Sequence, residues 1–151
     1  MRHTHAEWAP GQDDHARALS ARGQEEARRL GSWLKKSGHV PGHALVSDAK
    51  RTRQSFAALA LTCGADEMAD LYLAECTFLR AAIQATSQSD SLLLLAHNPG
   101  IAEVASTLVK TPPDHPAFYT YPPGATLVLD YDPQGGAAQL VDFMTPADLN
   151  P

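Results

Sequence analysis

Hydrophobic positions along the chain recur with two periods, and their alternation sets the expected architecture. From Ser20 to Lys36, Ala27, Leu30 and Leu34 fall on one helical face. Ser20 is placed to cap the start, and Lys35–Lys36 followed by Gly38 make a stop. HALVS (43–47) reads as a short strand. A helix from about Ala49 to Thr62 follows, turning Phe56, Leu59 and Ala60 inward and ending at Gly64, and a third helix is predicted over 76–86. LLLLA (92–96) is a buried strand, because aliphatics without polar alternation suit a parallel sheet covered on both faces. Asn98 then caps a helix over 99–110, with Pro99 at its first position. After a Pro-rich loop (111–124), ATLVLDYD (125–132) and AAQLVDFM (137–144) flank PQGG and predict a hairpin at the sheet edge. The alternation predicts an α/β fold with a largely parallel central sheet and helices on both faces.

Composition narrows the functional classes. A chain of 151 residues, 44% hydrophobic and 19% charged, is expected to form one globular domain over 1–151. Its formal charge of −5 argues against a nucleic-acid partner, so any anion site must be a local basic cluster. Cys63 and Cys76 lie in no CxxC pattern, which suggests neither a disulfide framework nor a zinc site. The aliphatic run at 92–96 is too short to span a bilayer, and no signal-peptide pattern opens the sequence. No membrane partner and a cytoplasmic location are the expectations.

The first residues, MRHTHAEW, place an arginine and two histidines ahead of any element. Such a cluster suits a His-x-His metal pair, a histidine nucleophile beside an arginine, or a solvated terminus. In open α/β sheets, ligands bind beyond the carboxyl ends of the strands. Strand 43–47 leads to Ser47, Asp48 and then Arg51 in the first turn of the next helix. Strand 92–96 leads to His97 and a helix N-terminus, whose free N–H groups favour an anion. If Arg2 and His3 also end a strand, two arginines, two histidines and a helix dipole converge on a phosphate-sized pocket.

These segments resemble the histidine phosphatase (phosphoglycerate-mutase-like) superfamily. RHTHAEW is similar to its Arg-His-Gly signature, with Thr4 in place of the small residue. RALSARG (17–23) is similar to the segment before its first helix, and SDAKRTRQS (47–55) to its Ser-x-x-x-Arg-[Ala/Thr]-x-x-[Thr/Ser] segment. AHNPGI (96–101) is similar to the second-histidine motif and YPPGATLVLDYD to the closing strand, in the order and compact length of the SixA-like phosphohistidine phosphatases. The resemblance implies that His3 is the nucleophile and forms a phosphohistidine intermediate. It implies that Arg2 and Arg51 grip the phosphoryl oxygens, and that His97, protonated once the dianion is bound, stabilises the transferring group. No metal or other cofactor is implied. The substrate is expected to be a phosphorylated protein or a small phosphorylated compound.

Glu75, in DLYLAECTF, is the candidate proton donor to the leaving group, since larger relatives draw a carboxylate from this region; it also suits a solvated helix start. His5, His15, His39, His43 and His115 read as surface residues, with His5 a possible contact at the rim. Two alternatives stand beside the phosphatase reading: a metal-dependent hydrolase using His3 and His5 with His97 as a third ligand, and a non-catalytic phosphate-binding module. The family resemblance also implies an apolar strand ahead of Arg-His. Here Met1 directly precedes Arg2, so the slot beside the central strands is expected to be filled by β-prone residues upstream, another segment or a partner.

Overall fold

A computed structural model describes residues 1–8, 10–86, 90–132 and 138–149. Helix α1 (Ala21–Lys36) begins where expected: the Ser20 hydroxyl accepts from the Gly23 N–H at 3.0 Å. Strand β1 (His43–Ser47), helix α2 (Lys50–Leu59), strand β2 (Gly64–Met68) and a 3-10 turn at Ala69–Leu71 follow. Helix α3 (Cys76–Ala85), strand β3 (Leu92–Leu95), helix α4 (Gly100–Leu108) and strands β4 (Thr126–Asp130) and β5 (Gln139–Met144) complete the order. β1 pairs in parallel with β2 on one side and β3 on the other, while β4 and β5 form an antiparallel pair. The PQGG connection lies outside the described residues.

The aliphatic strands are uninterrupted because each face of the sheet has its own core. Ala44, Val46, Leu93 and Leu95 pack with Leu30, Trp33, Leu34 and Leu59 on the α1/α2 side. Leu45 and Leu94 pack with Leu79, Ile101, Val104 and Leu108 on the α3/α4 side. Each fully buried leucine contributes roughly 1.5–3 kcal/mol from area removed from water. Gly31 lets α1 approach α2, since a Cβ there would sit 2.0 Å from the Leu59 carbonyl oxygen.

Three expectations about elements need correction. α2 stops at Leu59, and Ala60 adopts a left-handed conformation (φ 50°) and is exposed. Gly64 opens β2 rather than ending the helix. β2 itself, GADEM, has no hydrophobic pattern; it is an edge strand whose side chains are almost all exposed, held by its ladder to β1. Asn98 is not the cap of α4. That place belongs to Pro99, and the Asn98 side chain instead donates to the Tyr121 carbonyl at 3.2 Å.

Met1–His3 lie between β3 and the start of β4. Arg2 bridges Ala96 in parallel, its N–H donates to the Ala125 carbonyl at 3.0 Å, and the His3 N–H donates to the Ala96 carbonyl at 3.2 Å. Met1 is buried, and its α-amino group donates to the Leu94 carbonyl at 2.8 Å. Beyond it β3 and β4 part around a cavity of about 610 Å³, lined by Leu92–Leu94 on one side and Thr126–Asp130 on the other. Met1 thus lies at the wall of this cavity. Among the described residues no helix is long and apolar enough to cross a membrane.

Candidate active site

The carboxyl ends of β1, β3 and the first three residues meet at one edge of the sheet. His3 and His97 are both buried, at 8% and 2% exposure, with ring centroids 5.2 Å apart. Arg51, from the first turn of α2, is 3% exposed and lies against both. Its Nε donates to His3 Nε2 at 3.3 Å and its Nη2 to His97 Nδ1 at 3.2 Å. The pocket they line holds about 490 Å³ and also touches Arg2, Asp14, Arg17 and Asn98. The structure thus brings together Arg2, His3, Arg51 and His97.

The hydrogen bonds settle both tautomers. A guanidinium can only donate, so His3 Nε2 and His97 Nδ1 must accept. The protons then sit on the far nitrogens: His3 Nδ1–H donates to the Thr4 carbonyl at 2.8 Å, and His97 Nε2–H to the Ser47 hydroxyl at 2.8 Å. Both rings are neutral in this arrangement. Burial is the main reason: it holds His3 down to about 4, with Arg51, Arg2 and Arg17 adding to the effect against the Thr4 hydrogen bond. Burial likewise lowers His97 to about 3, helped by His3 and Arg51. Desolvation thus outweighs the arginine charges, and both act in the same direction.

The Ser-x-x-x-Arg-Thr-x-x-Ser segment builds this edge as a unit. Ser47 fixes His97, while the Thr52 hydroxyl ties the start of α2 to the carbonyls of Ser47 (2.7 Å) and Ala49 (2.6 Å). The Ser55 hydroxyl donates to the Arg51 carbonyl at 2.8 Å and accepts from the Thr4 N–H at 3.1 Å, pinning the residue after His3 to α2. Thr4 and Ser55 also join through their hydroxyls at 3.1 Å, so the threonine in the glycine-like position has a structural partner.

The site is unsatisfied in the sense that favours an anion. Arg2 Nη1 donates to the Tyr121 carbonyl at 2.9 Å, but its buried Nε has no partner among the described residues. Burial lowers the Arg2 pKa, and repulsion from Arg51 adds to the effect. Gly100, at the start of α4, permits the close approach of segment 71–74; a Cβ there would lie 2.0 Å from the Ala74 carbonyl oxygen. That segment sets Tyr72 edge-on to His97 at 5.4 Å and places Leu73, with φ 50° and 51% exposure, on the pocket wall.

Glu75 is not brought to the pocket. It is exposed and precedes α3 without making a side-chain cap. The carboxylate that does line the pocket is Asp14, in the loop before α1. Its Oδ2 accepts from Arg51 Nη2 (2.9 Å) and the Tyr72 hydroxyl (2.6 Å), and its Oδ1 from Arg17 Nη1 (2.9 Å). These partners, the Tyr72 hydrogen bond first, hold its carboxyl well below the usual range. The signal available in the sequence was the Asp-x-x-Arg spacing of Asp14 and Arg17. His5 is exposed on the pocket rim, with Nδ1 against the Ser20 hydroxyl at 2.8 Å. Among the described residues no group of three or more His, Cys, Asp or Glu could hold a metal ion, so the His3/His5 ligand set gains no support.

Comparison with known proteins agrees with this geometry. The profile of the histidine phosphatase superfamily (branch 1) matches residues 1–81. An uncharacterised protein of Mycobacterium tuberculosis is 30% identical over 111 residues, covering 73% of this chain and 70% of that one. Two solved structures described as phosphohistidine phosphatase SixA superpose over 97% of this chain. The one from Agrobacterium tumefaciens has a TM-score of 0.83 at 25% identity over 95% of its length. The one from Nakamurella multipartitia has a TM-score of 0.82 at 26% identity over 93%. The chain belongs to the histidine phosphatase superfamily, branch 1, and its enzymatic class is phosphatase.

Proposed function

We propose that this is a metal-independent phosphatase in which His3 Nε2 attacks phosphorus and carries the phosphoryl group before water removes it. The observation that supports it most is the neutral His3, whose unprotonated Nε2 accepts from Arg51 in a pocket also lined by His97 and by Arg2, whose buried Nε has no partner among the described residues. Arg2 and Arg51 bind the non-bridging oxygens. His97 is neutral in the free site and takes up a proton only with the dianion, which offsets the burial and positive charge that hold its pKa down. One domain over 1–151 suffices for all of these roles.

The substrate class we favour is protein phosphohistidine, in line with the names of the SixA structures. An exposed mouth edged by Leu73 and His5 suits a macromolecular substrate. The test is turnover of a phosphohistidine protein, sugar phosphates and an aryl phosphate with and without EDTA, plus rapid alkaline quench, which preserves a P–N bond, and mass mapping of the phosphoryl label. Chelator-resistant turnover with label on His3 is expected, lost in His3→Ala and mostly lost in Arg51→Lys. Phosphate binding without turnover would assign a binding module instead, and label elsewhere would remove His3 from its role.

A further inference from the structure

Asp14 is an anion built into an anion-binding pocket. Its carboxylate and main-chain carbonyl both accept from Arg51, and Arg51 in turn touches His3 and His97. One guanidinium therefore separates the carboxylate from the attacking nitrogen. Tyr72 and Arg51 reach Asp14 from two remote segments and Arg17 from its own loop, so its position is fixed. Those donors also keep it ionised, which makes it unfit to donate a proton to a leaving group.

We infer that Asp14 is a specificity determinant, a fixed negative charge that favours substrates whose leaving nitrogen carries positive charge over oxygen esters. The inference rests on the phosphatase reading above and concerns the same site. When His3 Nε2 bonds to phosphorus, the P–N bond breaks and its electron pair returns to nitrogen. An N-phosphorylated imidazole protonated on its other nitrogen then leaves as neutral imidazole, and no proton need be donated in the step. In an aryl ester the pair goes to oxygen, and aryloxide charge builds near a carboxylate. The first leaving group is attracted through the transition state and the second repelled, so the discrimination is read in kcat/KM. The absence of Glu75 from the pocket is then no handicap.

The experiment compares kcat/KM for phosphohistidine and 4-nitrophenyl phosphate in the wild type, Asp14→Asn and Asp14→Glu. In Asp14→Asn the preference for phosphohistidine should fall by roughly tenfold or more, the scale of one partly screened charge contact, whatever happens to the absolute rates. Asp14→Glu should keep most of it. A merely structural role would lower both substrates by one factor, and that result overturns the inference. A second measurement needs no variant: aminomethylphosphonate, which carries an ammonium, should inhibit the wild type roughly tenfold better than its isostere ethylphosphonate. Equal inhibition also overturns it. Wild-type protein that hydrolyses neither substrate would defeat the phosphatase reading itself.

Discussion

Acetylating the Met1 amine should flatten a pH dependence of stability that the free amine imposes on the 151-residue chain. The amine is buried in the sheet, and burial lowers its pKa from 8.0 to about 5. Between these values the unfolded chain holds a proton that the folded chain does not, so stability rises with pH through the window and is lost as pH falls. From pH 8.5 to pH 7 the two pKa values give a loss of roughly 1 kcal/mol, growing to about 3–4 kcal/mol by pH 5. His3 and His97, also held neutral by burial, add their own losses only below about 6.5, so the interval from 7 to 8.5 isolates the amine. An acetyl group retains one N–H for the 2.8 Å bond to Leu94 and has the adjoining cavity of about 610 Å³ to enter. The assay is urea unfolding of free and acetylated protein at several pH values across that interval. The acetylated protein should show almost no slope there and still lose stability below pH 6.5. Equal slopes would mean that the amine is hydrated in the folded state and that the cavity does not bury it.

Three other outcomes follow from the same geometry. Because attack needs unprotonated His3, whose pKa is lowered to about 4, while His97 takes up a proton with the dianion, kcat/KM referred to the dianion should rise as pH falls from 8 to 5 and decline only toward pH 4. Ser47→Ala leaves the buried His97 Nε2–H without an acceptor; it should cost roughly 1–3 kcal/mol in denaturant melts and lower kcat more than it raises KM. Gly100→Ala forces a methyl against the Ala74 carbonyl; it should destabilise by roughly 1–3 kcal/mol and raise KM, because the displaced segment carries Tyr72 and Leu73.

What the sequence disclosed was what depends on local chemistry. Ser20 reads as a cap because a hydroxyl three residues before Gly23 can reach its N–H, and it does. LLLL reads as a doubly covered strand because alternate leucines feed two separate cores. His97 and Arg51 were legible through their positions just past strands. β2 was not, since an exposed edge of Gly, Ala, Asp and Glu is held by backbone bonds that leave no hydrophobic trace. Asn98 misled because a carbonyl 23 residues away, at Tyr121, competes for its side chain. Asp14 left only its spacing to Arg17 as a local trace, because a loop carboxylate acquires its meaning when Arg51 and Tyr72, from distant segments, fold against it.

Arg51 connects the first residues, the loop at Asp14, helix α2 and the end of β3 through a single side chain. An anion captured there would therefore act as a clamp on four remote stretches of chain rather than on one loop. Its binding free energy would be transmitted to the unfolding equilibrium of the whole fold, about 2.7 kcal/mol when the anion is present at a hundred times its dissociation constant. Thermal shift with phosphate, vanadate or tungstate thus becomes an affinity scale for the pocket that needs no substrate, and one that works equally well on variants with no turnover.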